Sequence, residues 1–130
     1  MRSKSGFTLV ELLLAAAILA YALSAILASF INTVALNETS RNLSTATTHA
    51  EYVLEEIRNT TFASIATNIN AGNWNWNTAT ISGNGLTALN NESIAVTVSG
   101  TTLLDVIVTV TWRDLKSRVR TQNLRTLITS

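Results

Sequence analysis

The amino-acid sequence predicts an α+β protein: a long amino-terminal helix, membrane-spanning in its first half, packed by its second half on a small antiparallel β-sheet. Three observations carry this expectation. No charged residue occurs from Leu12 to Ile31. Beyond Asn32, Leu36, Leu43, Ala46, Ala50, Val53, Leu54 and Ile57 recur at three- and four-residue steps, as one apolar stripe of a helix must. The last third alternates apolar and polar residues with the period of two that marks a strand.

The amino-terminal helix comes first. Arg2 and Lys4 form a basic head, and the uncharged run that follows crosses a hydrocarbon core of about 30 Å at about 1.5 Å per helical residue. The basic head favours an amino terminus kept in the cytoplasm and export of the rest. Neither Gly nor Pro interrupts the chain between Phe7 and Phe62. That pattern predicts one continuous helix, with Arg41, Glu51, Glu55 and Arg58 on its wet side. Two helices bent near Asn32 or at Asn37–Ser40 satisfy the same stripe. Ala15, Ala16, Ala17, Ala20, Ala22, Ser24, Ala25 and Ala28 make the apolar run rich in small residues. Small side chains permit close helix packing in lipid, and alanine is also simply a good helix former.

From Ala63 to Asn91 the chain is rich in Asn, Thr, Ser and Gly. It reads as a long connecting loop with a short strand near Thr80-Ile81 and a turn at Asn84-Gly85. Trp74 and Trp76 lie in this polar stretch, as a contact surface or folded back over the core. Ile94, Val96 and Val98 then alternate along one strand, and Ser99-Gly100-Thr101 forms a turn. Leu104, Val106, Val108, Val110 and Trp112 share one face of a second strand. A turn near Asp114-Leu115-Lys116 leads into a third, from about Arg118 to Ile128. Three antiparallel strands leaning on the helix stripe bury the sheet's apolar face.

Composition bounds the function classes. A chain of 130 residues has room for one small domain beside the helix, and without cysteine it has no disulfide or thiolate metal site. Net charge is +1; without Arg2 and Lys4, seven of the nine basic side chains remain against eight acidic ones. No Ser-His-Asp set, phosphate-binding loop or paired-acid site can be assembled. Glu55 and Glu56 are adjacent on a helix and point apart, and the single histidine, His49, is placed on the helix surface rather than at a metal or a base. The expectation is a protein that is not an enzyme and takes no cofactor.

The residues Lys4-Ser5-Gly6-Phe7-Thr8-Leu9-Val10-Glu11, ahead of the apolar run, resemble the prepilin signature of type IV pilins and the pseudopilins of type II secretion. The signature is a basic leader ending in Gly, then Phe-Thr-Leu-(Val or Ile)-Glu and an apolar helix; the match covers Lys4 to about Ile31. It implies cleavage between Gly6 and Phe7 by a membrane prepilin peptidase and methylation of the new Phe7 amine. It also implies pilin-like assembly of the helices into a filament core by an inner-membrane platform. Glu11 would neutralise the Phe7 amine of its own or an incoming subunit, since an unpaired carboxylate at the membrane is costly. The expected organisation is a leader over 1–6, a membrane and filament-core helix over 7–36, its amphipathic continuation over 37–62 and a globular domain over 63–130. Such a subunit sits in the inner membrane in contact with lipid, then in a periplasmic or cell-surface filament of a pilus (fimbrium) or pseudopilus.

Many major pilins carry a proline inside this apolar segment and paired cysteines near the carboxyl terminus. Both are missing here, which leans toward minor pilins and pseudopilins. The stretch His49–Arg58 and the segment Val108–Trp112 with its following basic strand resemble the same group. Arg113, Lys116, Arg118, Arg120 and Arg125 admit two readings: a contact for nucleic-acid phosphates or a neighbour's acids, or the solvated face of an edge strand where charge discourages aggregation. The alternatives in function are therefore a DNA-binding pilin of an uptake pilus, and a membrane-anchored binding domain that never polymerises.

Overall fold

The computed structural model describes residues 7–130, which divide after Asn37 into two units. Helix α1 occupies Leu9–Arg58 and runs without a break through Asn32 and Asn37–Ser40. In the first unit every residue from Phe7 to Val34 is exposed, Leu13, Ile18, Ile26 and Phe30 among them. This part of α1 meets the length and composition needed to cross a membrane. Two of its hydroxyls turn inward on the backbone: Ser24 Oγ donates to Ala20 O and Thr33 Oγ1 to Ser29 O, each at 2.9 Å. Hydroxyls satisfied in this way cost little in hydrocarbon.

The second unit follows the apolar stripe. Ala46, His49, Ala50, Val53, Leu54 and Ile57 are the buried residues of α1. Leu36 and Leu43, the first two members of the expected stripe, are exposed, so the covered stripe begins only at Ala46. Against it lies a four-stranded antiparallel sheet: β1 (Trp76–Asn77), β2 (Ser93–Ser99), β3 (Leu103–Arg113) and β4 (Val119–Thr129), in that spatial order. Leu104, Val106, Val108, Val110 and Trp112 of β3 are buried together with Ile94 and Val96 of β2. Strand alternation thus places the expected residues inward.

The Asn-rich segment differs from expectation. It holds two short helices, α2 (Phe62–Asn70) and α3 (Thr78–Gly83), with β1 between them, and is not a long loop. Ile65 and Ile69, four residues apart, bury one face of α2, and Ile81 anchors α3. Thr80-Ile81 is therefore helical. Asn77 Oδ1 caps this helix by accepting the Thr80 N–H at 2.9 Å. Trp74 and Trp76 fold back into the core, and Trp76 meets Tyr52 with ring centroids 6.0 Å apart. At the β2–β3 turn Gly100 has φ +92, and a Cβ there would collide with the Leu103 carbonyl oxygen.

Candidate functional site

The head of α1 is built by a reciprocal cap. Thr8 precedes the first helical residue, and Glu11 stands three positions on. The Thr8 backbone N–H donates to Glu11 Oε2 at 2.8 Å and the Thr8 hydroxyl to the same oxygen at 2.9 Å. In return the Glu11 N–H donates to Thr8 Oγ1 at 3.3 Å. This is a capping box, in which a threonine and a glutamate satisfy each other's orphaned amides at a helix start. The pattern Thr-x-x-Glu stood in the sequence as its signal. Phe7 is exposed just ahead of the cap. Gly6, with Arg2 and Lys4, lies outside the described residues. The Glu11 carboxylate is thus exposed at the mouth of the helix, held by Thr8.

The basic residues do not converge on one surface. Asp114 is buried at the β3–β4 turn, where its Oδ1 accepts the backbone N–H groups of Lys116 and Arg118, both at 2.9 Å. Its Oδ2 accepts Arg118 Nε at 2.9 Å and Arg120 Nε at 3.2 Å. Burial pushes the Asp114 carboxyl up, but the Arg118 amide and the two guanidinium groups outweigh it and hold the group below the ordinary carboxylate value. Arg113 Nη1 closes the turn on the Ser117 carbonyl at 3.2 Å. Arg125 belongs to the opposite sheet face, where Nε and Nη2 grip the two Asp105 oxygens, both at 2.7 Å. Hydrogen bonding by Arg125 lowers the Asp105 carboxyl. Arg118, Arg120 and Arg125 are thereby each matched to an acid within the domain.

Sequence reasoning missed one site. His49 is not on the helix surface: it is buried, with Nδ1 2.7 Å from Glu92 Oε1. Glu92 Oε2 accepts the Leu89 N–H at 2.6 Å, and the Thr78 hydroxyl donates to the Glu92 carbonyl at 3.0 Å. The pair pins the segment before β2 to α1. The signal was available, since His49 stands three residues after Ala46 on the apolar stripe. Glu92, too, is the one charged residue between Asn59 and Leu104. Among the described residues no group of three or more His, Cys, Asp or Glu side chains could hold a metal ion.

Comparison with known proteins agrees with the head of α1. Residues 1–31 match the family described as the prokaryotic N-terminal methylation motif. No significant match to a curated protein or to a solved structure is found. The chain carries, over residues 1–31, the prokaryotic N-terminal methylation motif that is the signature of type IV pilins and pseudopilins, and it joins that motif to a helix-and-sheet α+β fold consistent with a pilin.

Proposed function

We propose that this chain is a structural subunit of a type IV pilus or a type II secretion pseudopilus, of the minor-pilin or pseudopilin kind. The observation that carries the reading is the Glu11 carboxylate at the mouth of a helix whose next twenty residues bear no charge, within the matched motif. Prepilin peptidase removes residues 1–6 by cutting after Gly6, and the new Phe7 amine is methylated. Residues 7–36 anchor the subunit in the inner membrane and later pack in the filament core. The rest of α1, to Arg58, continues that helix into the globular part. Glu11 exchanges its Thr8 hydrogen bonds for, or shares them with, the Phe7 amine of an adjoining subunit and so sets axial register. The partners are the peptidase, an assembly platform and other pilin or pseudopilin subunits.

DNA capture through the basic strand has less support. Asp105 and Asp114 already engage Arg125, Arg118 and Arg120, which lowers the positive field available to phosphates. The deciding measurement is the mass of the amino-terminal peptide of chain recovered from its native membrane. A peptide that begins at methylated Phe7 is expected. A peptide retaining Arg2 to Gly6, in cells with active prepilin peptidase, reduces the protein to a membrane anchor bearing a domain.

A further inference from the structure

A groove of about 470 Å³ lies within the second unit, against the turns of α1 with which that unit begins. Glu38, Arg41, Asn42 and Thr45, spaced as one helix face, line one side of it. The segment 87–90 and the β3–β4 turn at 113–115 line the other. These walls are tied together and to α1. The Arg113 N–H donates to the Asn90 carbonyl at 2.9 Å, and Glu92, paired with His49, accepts the Leu89 N–H. The groove is therefore built into the fold, as ligand sites largely are.

Its charges are of both signs and are not spent on one another. Asp114 is matched to Arg118 and Arg120. Among the described residues neither Arg41 nor Arg113 enters an ion pair, and the Arg113 side chain donates from Nη1 to the Ser117 carbonyl at 3.2 Å. Glu38 Oε1 accepts from Asn42 Nδ2 at 3.3 Å. Two guanidinium groups and a carboxylate lining one groove suit a ligand that carries a phosphate and an ammonium together. The place of the groove in the chain points to the source of that ligand. No charge occurs from Leu12 to Asn37, about 39 Å of helix at about 1.5 Å per residue. A bilayer measures about 30 Å through its hydrocarbon and about 40–45 Å with its headgroups. Glu38 and Arg41 are the first charges after that run, on the same unbroken helix, and so come at the level of the headgroups.

We infer that this groove binds the headgroup of an ethanolamine phospholipid in the leaflet from which α1 emerges. Arg41 and Arg113 take the phosphate and Glu38 takes the ammonium. Leu115, exposed where the turn lines the groove, meets the glycerol and the first methylenes, a contact that a soluble phosphate ester has no use for. A primary ammonium donates hydrogen bonds to the Glu38 carboxylate, which the trimethylated nitrogen of a choline lipid cannot do. A glycerol headgroup brings the phosphate without any cation and leaves Glu38 unmatched beside it. The inference rests on the anchoring of residues 7–36 in the membrane and stands whether or not the chain enters a filament.

The test uses the full chain in nanodiscs holding equal amounts of ethanolamine, choline and glycerol phospholipids with the same acyl chains. Entry into the nanodiscs checks the anchoring by itself. Native mass spectrometry of the released chain then counts the lipids it keeps. Roughly fivefold enrichment of the ethanolamine lipid over each of the others is expected. Arg41→Gln, at an exposed helical position, should remove most of the retained lipid, and Arg41→Gln with Arg113→Gln all of the enrichment. Glu38→Gln should keep lipid but make the ethanolamine and glycerol lipids equal. Arg58→Gln, away from the groove, should change nothing. Equal retention of the three lipids by the natural chain would overturn the inference, as would enrichment that survives the double variant or falls equally with Arg58→Gln. Retention of free O-phosphoethanolamine as strong as that of the lipid would transfer the groove from the bilayer to a soluble ligand.

Discussion

His49 Nδ1 and Glu92 Oε1 stand 2.7 Å apart with their side chains shut away from water, the one on α1 and the other at the entry to β2. Removing one member of such a pair leaves its partner buried and unmatched, and costs about 3–5 kcal/mol. Glu92→Ala, which also strips the Leu89 N–H of its acceptor, is expected to lose that much. The double variant H49M/E92M should regain part of it, because an apolar pair of similar volume removes the desolvation cost together with the attraction, while the Leu89 N–H still lacks its acceptor. Denaturant unfolding of the chain in detergent, read by the fluorescence of buried Trp74, Trp76 and Trp112, checks both.

Acid should loosen the β3–β4 turn. Asp105 and Asp114 are held below the ordinary carboxylate value by their arginine partners. A carboxyl lowered on folding stabilises the fold fully above its unfolded value of about 4, and that contribution disappears as pH falls through the lower folded value. The unfolding midpoint of the natural chain should therefore fall more steeply below pH of about 4 than that of Asp114→Asn. Parallel curves for the two would show that the Asp114 cluster does not contribute.

Glu11 separates two roles that one side chain plays. Glu11→Gln preserves the capping box, since glutamine serves at that position too, but removes the charge. Under the proposed function, Glu11→Gln and Glu11→Val should both enter the membrane and both fail to enter sheared filaments. Incorporation of Glu11→Gln at the natural level would assign the residue to helix capping alone.

Two glycines in left-handed conformation should respond unequally. Gly85, at φ +78, faces open space, so Gly85→Ala costs about 1–2 kcal/mol for backbone conformation alone. Gly100 adds a collision with the Leu103 carbonyl, which must move for any side chain to fit. Gly100→Ala is expected to exceed Gly85→Ala clearly in lost stability, as thermal unfolding of the two variants would show.

Much of this architecture can be seen in the sequence because its signals are long. The alternation from Leu104 to Trp112 and the stripe from Ala46 to Ile57 each repeat enough times to fix a face, and the structure buries those residues. The head of α1 was legible as a family signature, whereas its Thr-x-x-Glu cap is established by the structure. Short elements were not. In α2 two isoleucines carry the helical period inside an Asn- and Thr-rich stretch, and in α3 a single isoleucine does so, too little to outweigh a loop composition. The His49–Glu92 contact joins residues 43 positions apart, and no local period records a long-range polar pair. The arginines were visible, but their acids were assigned to no one, so a matched set of ion pairs read as an open cationic strand.

Between Tyr21 and Ser29 the one polar side chain of α1 is Ser24, whose hydroxyl is folded back on the Ala20 carbonyl, so that stretch has nothing directional to offer a neighbour. Wherever this surface is enclosed, in lipid or against other helices, contour alone decides the fit. A surface of that kind tolerates sliding and rotation, and it accepts any helix of matching bumps and hollows as readily as its own twin. Identity and alignment must then be written at the two extremities, in the carboxylate at the mouth and in the domain beyond.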